Sequence, residues 1–88
     1  MTTAPLLTPD AALGWLRSLS VDIREATVLD ASGAVLAGDR ALAGTPRGRH
    51  LLTARSEHHA IAVRHGRRAL EGLLRADIEA ALAALEGA

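Results

Sequence analysis

Cysteine is absent from the 88 residues, which excludes a disulfide framework, a thiol nucleophile and a thiolate metal site. Phenylalanine and tyrosine are absent as well, leaving Trp15 as the single aromatic residue. The chain therefore has no row of rings on which unpaired bases could stack. Lysine is missing too: every basic residue is arginine, and Lys+Arg and Asp+Glu both number 10, giving a formal net charge of zero. A neutral chain lacks the electrostatic footprint of a dedicated nucleic-acid binder. No apolar run approaches the roughly 20 residues that cross a bilayer. The opening Met1-Thr2-Thr3-Ala4-Pro5 has neither the charged nor the long apolar region of a secretory signal. These absences predict a cytoplasmic protein that binds no nucleic acid and does not insert into a membrane.

What is present fits one small domain over residues 1–88, with 1–7 as a flexible N-terminus. A domain of this size buries only about 60–65% of its unfolded surface. Hydrophobic residues make up 49% of the chain, but many are alanine, so leucine must supply most of the core. Such a core offsets chain entropy by a thin margin, and a second copy of the chain is the simplest source of further burial.

Two hairpins flanked by two helices account for most of the pattern. Thr8-Pro9-Asp10 is a helix start, with Thr8 as N-cap, Pro9 in the first helical position and Asp10 in the first turn. Ala12, Leu13, Leu16 and Leu19 then trace an apolar face that ends near Ser18 or Ser20, with Trp15 at its boundary. From Ile23 to Gly38 an apolar, β-branched run enters the turn Asp30-Ala31-Ser32-Gly33, and a second apolar run leaves it. Asp30 can accept from the backbone amides that follow, and Gly33 tolerates the left-handed conformation of a short hairpin. Ala26 and Val28 face one way and Thr27 and Leu29 the other, which suits a central strand.

A second hairpin runs from about His50 to His65 with Glu57-His58 as its loop. That loop sets Ser56 opposite His59, Leu52 opposite Val63 and His50 opposite His65. After Gly66, the residues Leu70, Leu73, Leu74, Ile78, Ala81, Leu82 and Leu85 trace an amphipathic helix closed by Gly87. Glu71 with Arg75, and Arg75 with Glu79, are spaced as supporting pairs on its wet face.

Candidate chemistry is sparse. His50 and His65 become cross-strand neighbours and are the only metal-ligand candidates with a defined geometry, with His59 farther along the same face. Two imidazoles fall short of the three or four ligands of a stable zinc site, so the expectation is no metal and no cofactor. His58 and His59, if both lie in strand, point to opposite faces. Asp30, Ser32 and Asp39 are accounted for without catalysis, because Asp30 and Ser32 serve the turn and no histidine follows at a motif spacing. Gly44-Thr45-Pro46-Arg47-Gly48 lacks the phosphate-loop pattern. The chain reads as a non-enzyme. Arg47, Arg49, Arg55, Arg64, Arg67 and Arg68 cluster around the second hairpin, and without interleaved aromatics they suit an acidic protein surface.

The block from the first helix through Ile23-to-Gly38, with its Asp-x-x-Gly turn leading into Val35-Leu36-Ala37-Gly38-Asp39, resembles the roadblock (dynein light chain type) family of longin- and profilin-like modules. Leu51-to-Leu85 is similar to the family's paired strands feeding a final helix, with Ala69-to-Ile78 resembling that helix's start. The two blocks cover about three-quarters of the chain. Family members carry a middle helix and a further strand between the hairpins, whereas here only the shortened connection 39–49 is available, too short for both. In the family that region contributes to the homodimer and to the surface that meets small GTPases.

The resemblance implies an α+β domain, a roadblock/profilin-like antiparallel sheet of about four strands with the N- and C-terminal helices on one face. It also implies a non-catalytic regulatory or scaffolding module that self-associates and binds a protein partner such as a small Ras-like GTPase. Arg40, Leu42, Arg47, Arg49, Arg55 and Arg64 are the expected partner-binding residues. With the middle helix missing, the sheet face opposite the helices is expected to be bare and semi-apolar, and to be covered by a second subunit. Two other classes fit the same pattern: a small-ligand or metal sensor, and a purely structural oligomer.

Overall fold

In the computed structural model of the protein, which describes residues 8–20, 22–39 and 50–86, Thr8 has left the helical region at φ −78° and ψ 162°, and its Oγ1 accepts from the Ala11 amide at 3.2 Å. With Pro9 supplying the next turn's fixed φ, helix α1 runs Pro9–Leu19. It stops where the Ser20 amide makes its last bond, to the Leu16 carbonyl at 2.9 Å. Strands β1 (Ile23–Asp30), β2 (Val35–Gly38), β3 (Leu51–Arg55) and β4 (His59–His65) follow, and helix α2 (Glu71–Glu86) ends the fold.

The four strands form one antiparallel sheet in the order β2-β1-β4-β3, so the two hairpins lie side by side with β1 and β4 in the centre. The first turn closes as its residues dictate. Asp30 Oδ1 accepts from the Ser32 amide, the Ser32 hydroxyl and the Ala34 amide at 2.8, 2.6 and 3.0 Å, and Gly33 takes φ 92°. These bonds, the Ser32 hydroxyl foremost, hold the Asp30 carboxyl below the usual aspartate range. In the second hairpin Leu52 pairs with Val63, and the Ser56 amide donates to the His59 carbonyl at 2.8 Å. The His65 amide donates to the His50 carbonyl at 2.9 Å, so the register set by the Glu57-His58 loop holds throughout.

The core lies on one face of the sheet. Ala26, Val28, Ala37, Leu52, Ile61 and Val63 meet Ala12, Leu13 and Leu16 of α1 and Leu74, Ile78, Ala81, Leu82 and Leu85 of α2 in one cluster. Both helices therefore cover the same side. Trp15 packs half-buried at its margin. Three expected core leucines are not in it: Leu19, Leu70 and Leu73 are 52%, 65% and 64% exposed. Leu73 lies about 140° around the helix from Ile78 at 100° per residue, so it belongs to the flank of α2, outside the buried stripe. Leu70 precedes the helix and Leu19 is the last residue of α1, both beyond the end of the sheet contact. The Glu71–Arg75 and Arg75–Glu79 pairs do not form among the described residues; Glu71 turns to His65 instead. Residues 1–7, most of the 39–49 connection and Gly87 lie outside the described residues.

One junction explains the Val35-to-Asp39 block. Gly38 has φ 92°, and a Cβ there would sit 2.2 Å from the Ala26 carbonyl oxygen. That approach lets Asp39 extend the pairing: its amide donates to the Ala26 carbonyl and its Oδ2 accepts from the Ala26 amide, both at 2.9 Å. Arg17, in the last turn of α1, lies 3.6 Å from the same carboxylate.

Candidate functional site

The sheet face away from the helices carries Glu25, Thr27 and Leu29 of β1, Val35 of β2, Ala60, Ala62 and Arg64 of β4, and Leu51, Thr53 and Arg55 of β3. This follows from the alternation of side chains along paired strands. A bare apolar surface is not what this face presents. Thr27 and Ala62 at its centre are 0% and 4% exposed, Thr27 Oγ1 donates to the Ala37 carbonyl at 3.1 Å, and Glu25 pairs with Arg64 at one margin. Only Thr53, Arg55 and Arg64 on it are freely exposed.

The edges of the sheet differ sharply. On the β2 side the strand is four residues long, bulged where Leu36 stands out between the Val28–Ala37 and Leu29–Val35 pairs, and ended by left-handed Gly38. Shortness, a bulge and an abrupt end are the devices that keep an edge from pairing. The β3 edge is one residue longer and likewise bounded by a left-handed residue, His50, but it carries no bulge. Its pairing with β4 is regular from Leu51 to Arg55, and Arg55 is its one charge. Because the Ser56 amide and the His50 carbonyl both point at β4, the ladder's alternation turns the N–H and C=O groups of Leu51, Thr53 and Arg55 outward. Among the described residues no strand pairs with them.

The histidines resolve into two clusters. His50, at φ 61°, sets its ring edge-on against His65 with centroids 5.1 Å apart. Buried His65 has Nδ1 2.9 Å from the Gly66 carbonyl and Nε2 3.1 Å from Glu71 Oε1. Both of its ring nitrogens are engaged, so a metal at this pair would have to displace one bond. Among the described residues no three His, Asp or Glu side chains converge on a metal position. Close by, Asp22 ties the α1–β1 link to the β4–α2 link. Its Oδ2 accepts from the Arg68 amide at 3.0 Å, its Oδ1 lies 2.8 Å from Arg24 Nε, and its carbonyl accepts from the Gly66 amide at 2.9 Å. The Arg68 amide, then the Arg24 charge, holds the Asp22 carboxyl below the usual range.

At the opposite end, His58 and His59 do not diverge, because His58 lies in the turn and outside the strand alternation. Both reach Glu86, on the last turn of α2. Its carboxylate accepts from Ser56 Oγ and from the His58 amide at 2.9 Å, with the His58 and His59 Nδ1 atoms 3.1 and 3.4 Å away. The serine hydroxyl, then the His58 amide, pulls the Glu86 carboxyl from near 4.5 down to about 2. Ser56 thus donates to a carboxylate, and the cluster clamps the second hairpin to the last turn of α2. An acid on the last turn opposes the helix dipole, and these bonds offset that cost.

A pH dependence follows. The folded pKa lies below the unfolded one, so this contribution is complete above about 4.5 and is lost as pH falls toward about 2. Glu86→Gln is expected to flatten the fall in thermal midpoint across that window, relative to the wild-type chain, in a calorimetric pH series.

Of the expected partner-binding residues, Arg55 and Arg64 are exposed on the outer sheet face, Arg64 tied to Glu25. Arg40, Leu42, Arg47 and Arg49 lie outside the described residues. Among the described residues no helix is long and apolar enough to cross a membrane. No protein-family model, curated protein or solved structure matches the chain.

Proposed function

We propose that this chain is a non-catalytic scaffolding or regulatory module that self-associates through the β3 edge and presents the resulting assembly to a protein partner. The single observation that carries the reading is the contrast between the two edges: β2 is bulged, whereas β3 offers outward backbone groups at Leu51, Thr53 and Arg55 along a regular strand. A second β3 laid antiparallel about a two-fold axis at Thr53 satisfies those groups reciprocally and joins two sheets into one. The alanine-rich core gains from that extension, because each copy then removes an edge from water. The resemblance to roadblock modules makes a small Ras-like GTPase the partner to test first.

Proline at an edge position facing solvent removes an outward donor without touching the ladder to β4. Thr53→Pro is therefore expected to yield a folded monomer, while Thr53→Ala and the wild type sediment as dimers at micromolar concentration. A wild-type monomer, or a Thr53→Pro dimer of unchanged strength, contradicts the reading.

A further inference from the structure

We propose that the end of the molecule where α1 stops and α2 begins is a docking trough for an acidic amphipathic segment of a partner protein, leucine-type side chains inserted first and carboxylates following. The proposal rests on reading the chain as a protein-binding module and is independent of its self-association.

Three adjoining depressions make the trough. One is an apolar groove of about 390 Å³ between the helix ends, walled by Leu19, Leu70 and Leu73 with Ala69 and Leu74 between them. Three of the large hydrophobics exposed among the described residues meet here, each more than half exposed. Its acid, Asp77, is already bonded by the Ser20 hydroxyl at 2.9 Å. Ala69 also lines the neighbouring depression with His50, His65 and Arg67, and that space continues into a basic groove of about 530 Å³. There Arg24, Arg64, Arg67 and Arg68 face a single acid, Asp22.

Charge decides what the trough accepts. The chain as a whole is neutral, so this groove is a local excess. Asp22 holds Arg24, and Glu25 holds Arg64, but Arg67 and Arg68 enter no ion pair among the described residues. Glu71, at the junction, is bonded to His65. Two guanidinium groups beside a leucine-walled concavity favour a ligand with apolar side chains and carboxylates a short distance apart along one chain.

The test is selection of peptides from a random displayed library on the full chain, with Arg67→Glu as counter-target. Arg67 and Leu73 are both exposed, so Arg67→Glu and Leu73→Ser are expected to keep the wild-type circular dichroism spectrum. The expected result is enrichment of sequences combining Leu or Ile with Asp or Glu. Their synthetic forms should shift the amide resonances of Leu19, Leu70, Leu73 and Arg67, and should bind about tenfold more weakly to either variant and in raised salt. Failure to enrich, enrichment of basic peptides, or shifts confined to another surface overturns the proposal. So does binding to phosphatidylserine vesicles by a chain that selects no peptide. Sedimentation of the same samples reports self-association separately, so a monomer that still binds the peptides removes only the β3 reading.

Discussion

Gly38→Ala is expected to destabilise the fold by about 3 kcal/mol or more, placing it among the severe backbone substitutions. Two costs combine. An L side chain at φ 92° is strained, and its Cβ would lie 2.2 Å from the Ala26 carbonyl oxygen and 2.9 Å from the Thr27 Cα, both backbone atoms with no rotamer to yield. Relief requires β2 to separate from β1, which also breaks the two bonds that Asp39 makes to Ala26. In a domain of this length the expected fall in thermal midpoint is about 12 °C or more. Gly33→Ala separates the two costs: Gly33 has the same φ of 92° with nothing within 4 Å of its added Cβ, so strain alone remains, about 1–2 kcal/mol. Equal losses in the two variants would show that the close approach at Gly38 carries no energy.

Leu16→Ala is expected to have the other large effect, a loss of about 2–5 kcal/mol. Leu16 is fully buried where α1 meets the sheet and α2, with half-buried Trp15 the one aromatic ring packed against the cluster. The whole domain is expected to hold only about 4–13 kcal/mol at its length of 88 residues. Removing one such side chain therefore takes a large share of the total, and denaturant titration should show the midpoint moving with little change in slope. Leu73→Ala, at 64% exposure on the flank of α2, is the matched comparison and should leave the midpoint nearly in place. The contrast between two leucines of similar apparent helical rank reads out which face of each helix the sheet occupies.

Sequence alone carried the fold a long way, for identifiable reasons. Thr8-Pro9 and Asp30-to-Gly33 are local chemistry, each residue acting on backbone within four positions, so they could be read without knowing the tertiary structure. The second hairpin's register followed from loop length alone, since a two-residue loop fixes every later pair. What failed depended on how far elements overlap. Leu19 and Leu70 continue apolar stripes past the end of their contacts, and periodicity does not say where a neighbour stops. The outer face of the sheet was expected to be bare, yet Thr27 and Ala62 are almost wholly buried at its centre. Glu86 joins residues 28 and 30 positions away, a pairing that no local spacing encodes. The candidate interaction sites were legible only as a residue type. The arginine cluster was visible in sequence, but which arginines remain unpaired, and that Leu19 comes to lie beside Leu70 and Leu73, are products of the fold.

The most direct measurement is amide hydrogen exchange along Leu51, Leu52, Thr53, Ala54 and Arg55 at low and high protein concentration. If a second copy joins this border, the amides of the odd-numbered residues gain protection as concentration rises, while those of Leu52 and Ala54, bonded to β4, are slow at both. Fast exchange at Leu51, Thr53 and Arg55 at every concentration contradicts it.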